Sequence, residues 1–281
     1  MFTVGGRVRS KARAALKSYA IFRPMQIDAR LEAMRRLVER ADPALFELRD
    51  LTRHEARVFS QNGEDGVISE ILNRLGTTNR WFVEFGVQGG HEGNCVLLAD
   101  VFGWNGLFID GDPADFECLS RKYAGNGRVR TVHTMVTAAN IDRCFIGAGV
   151  PEEIDVLSID IDGNDVHVWR QLAATSPRLV VIEYNSGIPA GGALAQPHDP
   201  ARSWDGSGAF GASLEALDVV AAEKGYRLAH TDLTGNNAFY VRADLWDRLG
   251  VDEAPRRSQN FGLTGVTQPP SEPPGGWASL G

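Results

Sequence analysis

The sequence predicts an α/β protein built on one mostly parallel sheet of seven strands, with the last strand antiparallel and a helical extension at the N-terminus. Apolar, strand-like runs alternate with helix-like segments along most of the chain. Runs such as residues 156–159 and 179–182 are short and almost continuously apolar, which is typical of parallel strands covered on both faces. A turn-forming segment at residues 234–237 joins the last two runs as a hairpin and predicts the reversed final strand.

Residues 1–55 are predicted to form a basic N-terminal helical extension. Leu31, Met34, Leu37 and Val38 recur at helical spacing, and six basic residues precede the first acidic residue, Asp28. Two interpretations remain open: a helical element on a neighbouring surface, which would also allow a homodimer, and an organellar transit peptide.

Residues 56–250 are predicted to form the folded domain. A helix ends at Gly76, and a second helix runs from Ser213 to Gly225. Strands are expected near 81–85, 106–110, 129–133, 155–160, 178–184, 226–231 and 237–242, and further helices near 92–102, 114–122, 139–146 and 164–173.

Two segments lack a predicted strand or helix. The segment 186–211 is longer than a connection requires, which is typical of binding loops. Residues 251–281 form a tail rich in proline and glycine, for which we expect no packed structure.

Composition limits the classes of partner. The formal net charge of −7 argues against nonspecific binding to nucleic acid by the whole surface, although the N-terminus carries a local basic patch. No apolar run is long enough to cross a membrane. The cysteines Cys95, Cys118 and Cys144 are widely spaced, which suits reduced thiols filling the core better than a disulfide framework or a zinc site. We therefore expect a soluble, cytoplasmic protein.

The most informative pattern joins two strand ends. The first strand runs into a glycine-rich turn from Glu84 to Gly90, and the second ends in Asp110, about 26 positions after Glu84. Glycines allow the backbone to approach a ligand closely, and a carboxylate accepts hydrogen bonds from paired ribose hydroxyls. This arrangement is typical of nucleoside binding. Asp112 competes for the ribose role, but its place before Pro113 favours the start of a helix.

These motifs, together with the segments 158–165 (SIDIDGND) and 181–185 (VIEYN), resemble the Rossmann-like class I S-adenosylmethionine-dependent methyltransferases. The closer likeness, over about 56–245, is to FkbM-like O-methyltransferases. The resemblance implies that S-adenosylmethionine is the cofactor, that Asp110 binds its ribose, and that Ser60, Gln61 and Asp65 belong to a lid. It also implies cofactor contacts at Glu84, Gly86 and Gly90 for the methionine part, and backbone contacts around Thr137 for the adenine.

Acidic and amide side chains follow the next two strands. Asp160 ends the fourth strand, and Glu183 and Asn185 end the fifth, where they would supply oxygen ligands for Mg²⁺. The one-residue gap between Glu183 and Asn185 departs from the adjacent pair of catechol-type relatives, so the need for a metal stays open. Without metal, Asp162, His198 and Glu183 are candidates for the general base, and His91 is a rival to His198.

The loop 186–211 is predicted to line the acceptor site. His198, Asp199, Trp204 and Asp205 provide an imidazole, two acids and an aromatic face, a mixture suited to a sugar or another polyhydroxyl acceptor. Together with the resemblance, this loop predicts O-methylation of a sugar, a glycan or a glycosylated metabolite.

Two other functions remain as alternatives. A nicotinamide-dependent oxidoreductase uses a related sheet, but the G-x-G-x-x-G pattern is absent after the first strand. A noncatalytic nucleotide-binding or scaffolding module would use the basic N-terminal helices for interaction.

Overall fold

The computed structural model describes residues 51–202, 204–251, 254–257 and 271–280. Most of the predicted N-terminal extension, and the homodimer contact inferred for it, therefore lie outside the described residues. A short 3-10 helix, Leu51–His54, precedes the main domain.

A seven-stranded sheet in the order β3-β2-β1-β4-β5-β8-β7 forms the centre of the domain. Strands β1 to β5 pair in parallel, whereas β8 pairs antiparallel with both β5 and β7. The large sheet consists of β1 Trp81–Phe85, β2 Asn105–Asp110, β3 Val129–His133, β4 Glu153–Ile159, β5 Ser176–Glu183, β7 Tyr226–Thr231 and β8 Asn237–Arg242. This topology confirms the predicted Rossmann-like fold class of class I methyltransferases.

Seven α-helices occur in the part of the chain that the structure describes. They are α1 Glu64–Leu75, α2 Val96–Asp100, α3 Pro113–Tyr123, α4 Ile141–Ala148, α5 Asp165–Gln171, α6 Leu214–Lys224 and α7 Trp246–Leu249. Gly76 and Gly225 end α1 and α6, and the Ser213 side chain caps α6 by accepting from the Ala216 N–H, as the sequence predicted.

Both faces of the sheet are buried. Phe82 of β1 packs in one apolar cluster, whereas its neighbours Val83 and Phe85 pack in the cluster on the opposite face, and all three are fully buried. Alternate residues of a strand point to opposite faces, so a strand buried on both sides is mostly apolar, and Glu84 is the buried charged residue of β1. Burial of each such side chain contributes about 1.5–3 kcal/mol.

The structure corrects the expectation of an unpacked C-terminal tail. Ala278–Ser279 form strand β9, which pairs antiparallel with a short strand, β6 Leu194–Ala195, inside the predicted loop 186–211. The Pro255 carbonyl also accepts a hydrogen bond from the Thr231 hydroxyl. Composition could not predict these contacts, because a two-residue strand pair depends on backbone groups more than on residue type.

No helix within the described ranges is long and apolar enough to cross a membrane. The three cysteines are free thiols, as predicted. Cys95 is buried, but Cys118 is exposed and therefore does not fill the core.

Candidate functional site

The glycine turn after β1 is in close contact with the end of β4. Gly86 has a φ of 80°, and a Cβ atom on it would lie 1.5 Å from the Asp160 carbonyl oxygen. Its N–H donates to the Ile109 carbonyl of β2 at 3.1 Å. The turn is therefore held against both neighbouring strands, and glycine is needed for both its backbone conformation and its space.

The turn continues in a left-handed conformation. Gly90 has a φ of 73°, and a Cβ there would lie 2.6 Å from the Leu119 side chain of α3. Gln88 also has a positive φ, 53°, and its N–H group acts to lower the pKa of the Asp110 carboxylate. Sequence reasoning missed Gln88, because no residue pattern marks a non-glycine residue in this conformation.

Glu84 binds the backbone that leads into α2. Its carboxylate accepts hydrogen bonds from the N–H groups of Asn94 at 2.7 Å and Cys95 at 2.9 Å. These bonds hold residues 94 and 95 in the approach to α2, which begins at Val96 instead of near 92 as predicted. Burial raises the pKa of Glu84 to about 7, although both N–H groups favour the charged form.

Asp110 lies at the end of β2 and is 6% exposed. One carboxylate oxygen accepts from the Asp112 N–H at 2.8 Å. Burial raises its pKa, and the N–H groups of Asp112 and Gln88 oppose that shift. The Asp112 side chain instead caps α3 by accepting from Ala114 and Asp115, as its position before Pro113 predicted.

The segment before α1 is bonded to α1 and to the chain that follows the glycine turn. One oxygen of the Asp65 carboxylate accepts from the N–H groups of Val58, Phe59 and Ser60 at 2.7–2.8 Å and from the Ser60 hydroxyl at 2.8 Å. The Phe59 carbonyl in turn accepts from the Gly93 N–H at 3.2 Å. Gln61 follows these hydrogen-bonded residues and is exposed.

The region expected to meet adenine has its own hydrogen bonds. The Thr137 N–H donates to the Asn140 side chain at 2.8 Å, and its carbonyl accepts from the Ile141 N–H. The exposed apolar side chain of this region is Met135, which is 56% exposed and whose sulfur lies against Gly111. Sequence reasoning did not single out Met135, because an isolated methionine carries no ligand-binding pattern.

Three carboxylates meet beyond the ends of β4 and β5. Oxygens of Asp160, Asp162 and Glu183 all lie within 4.8 Å of one another. We call these residues the acid trio. Asp162 reaches it through a left-handed backbone, with a φ of 55°. The Asp165 carboxylate stabilises this bend by accepting from the N–H groups of Ile161 and Gly163, each at 2.8 Å.

The carboxylates of the acid trio repel one another when they are charged. Burial and the neighbouring carboxylates raise the pKa of Asp160 and of Glu183 well above the ordinary values, and burial also raises that of Asp162. One Glu183 oxygen, Oε2, is buried without a hydrogen-bond partner. Such a cluster favours a bound cation or a retained proton.

Asn185 has a different hydrogen-bonding role from the one expected of a metal ligand. Its amide nitrogen donates to the carbonyls of Gly208 at 2.9 Å and Phe210 at 2.8 Å. Its amide oxygen accepts from the Gly187 N–H at 2.9 Å. The side chain therefore anchors the loop 186–211 to the end of β5.

The structure places His198 beside His167, with ring centroids 5.2 Å apart. His198 is exposed, whereas His167 bonds to the Gln196 carbonyl at 2.8 Å and has a pKa lowered by burial. Among the described residues, the group of possible metal ligands whose atoms lie within 4.8 Å of one another consists of the acid trio and does not include His198. Its rival, His91, is also exposed.

Comparisons with known proteins give structural likeness at low identity. No family model and no curated protein sequence matches the chain. The N-terminal domain of EvdMO1, solved with SAH and D-fucose, is 13% identical over 63% of this chain and 80% of that chain, with a TM-score of 0.41. Fibrillarin from Aeropyrum pernix, in complex with S-adenosyl-L-methionine, is 12% identical over 62% of this chain and 73% of that chain, with a TM-score of 0.40.

A SAM-dependent methyltransferase from Aquifex aeolicus is 12% identical over 72% of this chain and 98% of that chain, with a TM-score of 0.39. These identities and TM-scores are too low to transfer an activity.

Proposed function

We propose that the protein is an S-adenosylmethionine-dependent methyltransferase that acts on a hydroxyl oxygen. The observation that carries this proposal is the pair of bonds from Asn94 and Cys95 to the Glu84 carboxylate. In dinucleotide-binding proteins the N–H groups at the start of the helix after β1 hold the pyrophosphate. Here a carboxylate of the protein occupies N–H groups at that place and would repel a pyrophosphate.

The charge around the turn favours a cationic nucleoside instead. Glu64 and Glu84 are buried, and the pKa of each is raised to about 7. The negative charge of both carboxylates raises the pKa of Asp160. A positively charged ligand beside these groups would relieve their mutual repulsion. When bound, S-adenosylmethionine supplies a methyl group on a positively charged sulfur.

The residues present suit the other parts of this cofactor. Gly86 and Gly90 allow the turn to pack closely against Asp160 and Leu119 in a left-handed conformation, which fixes the backbone beside which the cofactor would lie. Asp110 has one carboxylate oxygen bonded to the Asp112 N–H and retains acceptor capacity for ribose hydroxyls. Met135 offers an apolar surface for adenine, next to the expected contact region at Thr137.

The acid trio is the proposed catalytic centre. Its carboxylates have raised pKa values and can take the proton that an acceptor hydroxyl loses during methyl transfer. The Asp160 carbonyl, at the end of β4, is in contact with Gly86. The trio therefore borders the cofactor turn. Asp160 and Asp162 are thus the proposed general bases. His198, on the loop 186–211, is the alternative base outside the trio.

The trio also fits Mg²⁺, because three hard carboxylate ligands lie close enough to share one ion. Bound there, Mg²⁺ would lower the pKa of an acceptor hydroxyl and fix its position. We propose Asp160, Asp162 and Glu183 as its ligands. Asp162 thus takes the place of Asn185 in the set of ligands predicted from the sequence.

We propose a small-molecule or glycan acceptor, with a sugar hydroxyl as the reacting group. The net charge of −7 and the acids beside the site disfavour a nucleic-acid backbone. The loop 186–211 supplies the polar and aromatic side chains on the acceptor side.

Calorimetry with S-adenosylmethionine, S-adenosylhomocysteine and NAD tests the cofactor. We expect binding of the first two and none of NAD. Tight binding of NAD without heat from S-adenosylmethionine would overturn the proposal in favour of an oxidoreductase. Turnover measured in Mg²⁺ and in EDTA then tests whether a metal takes part. Full activity in EDTA would reject the metal and favour direct removal of the proton by the trio.

A further inference from the structure

The loop 186–211 is anchored on both sides of the acid trio. Asn185, two positions after Glu183, donates to the carbonyls of Gly208 and Phe210. Asn164, two positions after Asp162, donates to the Asp199 carbonyl at 2.9 Å. Both strand ends that carry the trio therefore hold this loop, which forms a wall beside it.

The charged side chains of the loop bind the loop's own backbone. Asp199 accepts from the Ala201 N–H at 3.0 Å, and Asp205 accepts from the Ser207 N–H at 2.9 Å. Arg202 donates to the Ala209 carbonyl at 2.7 Å. These bonds favour the loop conformation seen in the structure, which would reduce the ordering required when an acceptor binds.

Trp204 makes two contacts within this loop. Its indole N–H donates to the Ser207 carbonyl at 2.8 Å, and its ring packs edge-on against Phe210 with centroids 6.2 Å apart. The residue is nevertheless 45% exposed. An immobilised tryptophan with an exposed face is a ready surface for a ligand, because little entropy is lost on contact.

We infer that Trp204 selects the acceptor by stacking against the C–H face of a pyranose ring. The ring face carries partial negative charge and attracts the weakly positive C–H groups of such a sugar, whose hydroxyls remain free to meet polar groups. A flat aromatic acceptor would need an enclosed apolar slot, whereas Trp204 lies in a loop with Asp205 and Ser207 beside it. This inference rests on the proposed function, because it concerns the acceptor of that reaction.

Saturation-transfer NMR on the full chain tests the contact without requiring turnover. The probes are methyl α-D-glucopyranoside, methyl β-D-galactopyranoside and methyl α-L-rhamnopyranoside, with catechol as a planar aromatic probe. We expect transfer to the ring C–H protons of at least one pyranoside, and binding about ten-fold weaker in Trp204→Ala, which equals about 1.4 kcal/mol. Trp204→Phe should retain most of the binding, whereas Trp204→Leu, which keeps apolar bulk without a flat ring, should not.

Calorimetry with S-adenosylhomocysteine separates this inference from the proposed function. All three variants should bind that ligand like the unaltered protein, because Trp204 lies outside the cofactor turn. Failure of the unaltered protein to bind it would remove the proposed function even if pyranosides still bind. The inference on Trp204 is wrong if no pyranoside receives transfer, if Trp204→Leu binds like Trp204→Phe, or if Trp204→Ala weakens catechol but no pyranoside.

Discussion

Gly86 and Asp160 are in backbone contact across two strand ends: a Cβ atom on Gly86 would lie 1.5 Å from the Asp160 carbonyl oxygen. This contact brings the glycine turn beside the acid trio. A change in either residue should therefore affect both the proposed cofactor site and the proposed catalytic centre.

Replacement of Gly86 by alanine should destabilise the protein by about 3 kcal/mol, because a left-handed backbone and a steric clash both oppose a side chain there. Gly125→Ala is the matched control, since no atom lies within 4 Å of the position of its Cβ. Thermal unfolding measures both variants. Equal melting temperatures for the two would contradict the contact.

Asp110→Ala should weaken S-adenosylmethionine binding about 10- to 100-fold, because a hydrogen bond to a carboxylate contributes about 1.5–3 kcal/mol. Asp112→Ala should instead lower the melting temperature with little change in affinity, since Asp112 caps α3. Calorimetry and thermal unfolding of both variants distinguish these effects. If Asp112→Ala were the variant that lost affinity, the two roles would be reversed.

Mg²⁺ binding should strengthen as the pH rises through and beyond the ordinary titration range of carboxylates. Burial and neighbouring carboxylates raise the pKa of Asp160 and Glu183, so protons compete with the ion at lower pH. Calorimetry in two buffers of different ionisation enthalpy should detect proton release on binding. Asp160→Asn should abolish the binding, whereas Asp247→Asn, at an exposed position outside the trio, should not. Tight binding with no proton release would contradict the raised pKa values.

The free energy of unfolding should contain a contribution from Glu84 that decreases as the pH rises. Its pKa is about 7 in the folded protein, against an ordinary value of 4.5, so the folded state favours the neutral form. This contribution is complete below about pH 4.5 and is lost as the pH rises through about 7. In Glu84→Gln, the change in melting temperature between pH 8 and pH 6 should be smaller than in the unaltered protein.

Glu117→Gln is the matched control for that measurement, because it alters a carboxylate whose side chain is 71% exposed. It should leave the pH dependence of the melting temperature unchanged. The same pH dependence in Glu84→Gln and in the unaltered protein would rule out Glu84 as its source.

The site was only partly predictable. The positions of Asp110, Asp160 and Glu183 could be inferred because each directly ends a strand that its apolar run defines. Asp162 was predicted only as a candidate general base and not as a member of the metal-ligand set, since its approach to Asp160 and Glu183 depends on the left-handed bend that the Asp165 carboxylate stabilises. Asn185 looked like a ligand by position, but its amide donates to Gly208, which lies 23 residues further along the chain.

The sequence by itself determined the order of strands and helices, the fold class and the residues at the strand ends, because periodicity, glycine turns and helix caps are local properties. Only the tertiary structure decided which of those residues share a site. It brought Asp162 to Asp160 and Glu183, directed Glu84 to the N–H groups before α2, and placed Trp204 on a loop anchored beside the trio. The physical reason is that these contacts join distant parts of the chain through hydrogen bonds and backbone conformations that no local pattern encodes.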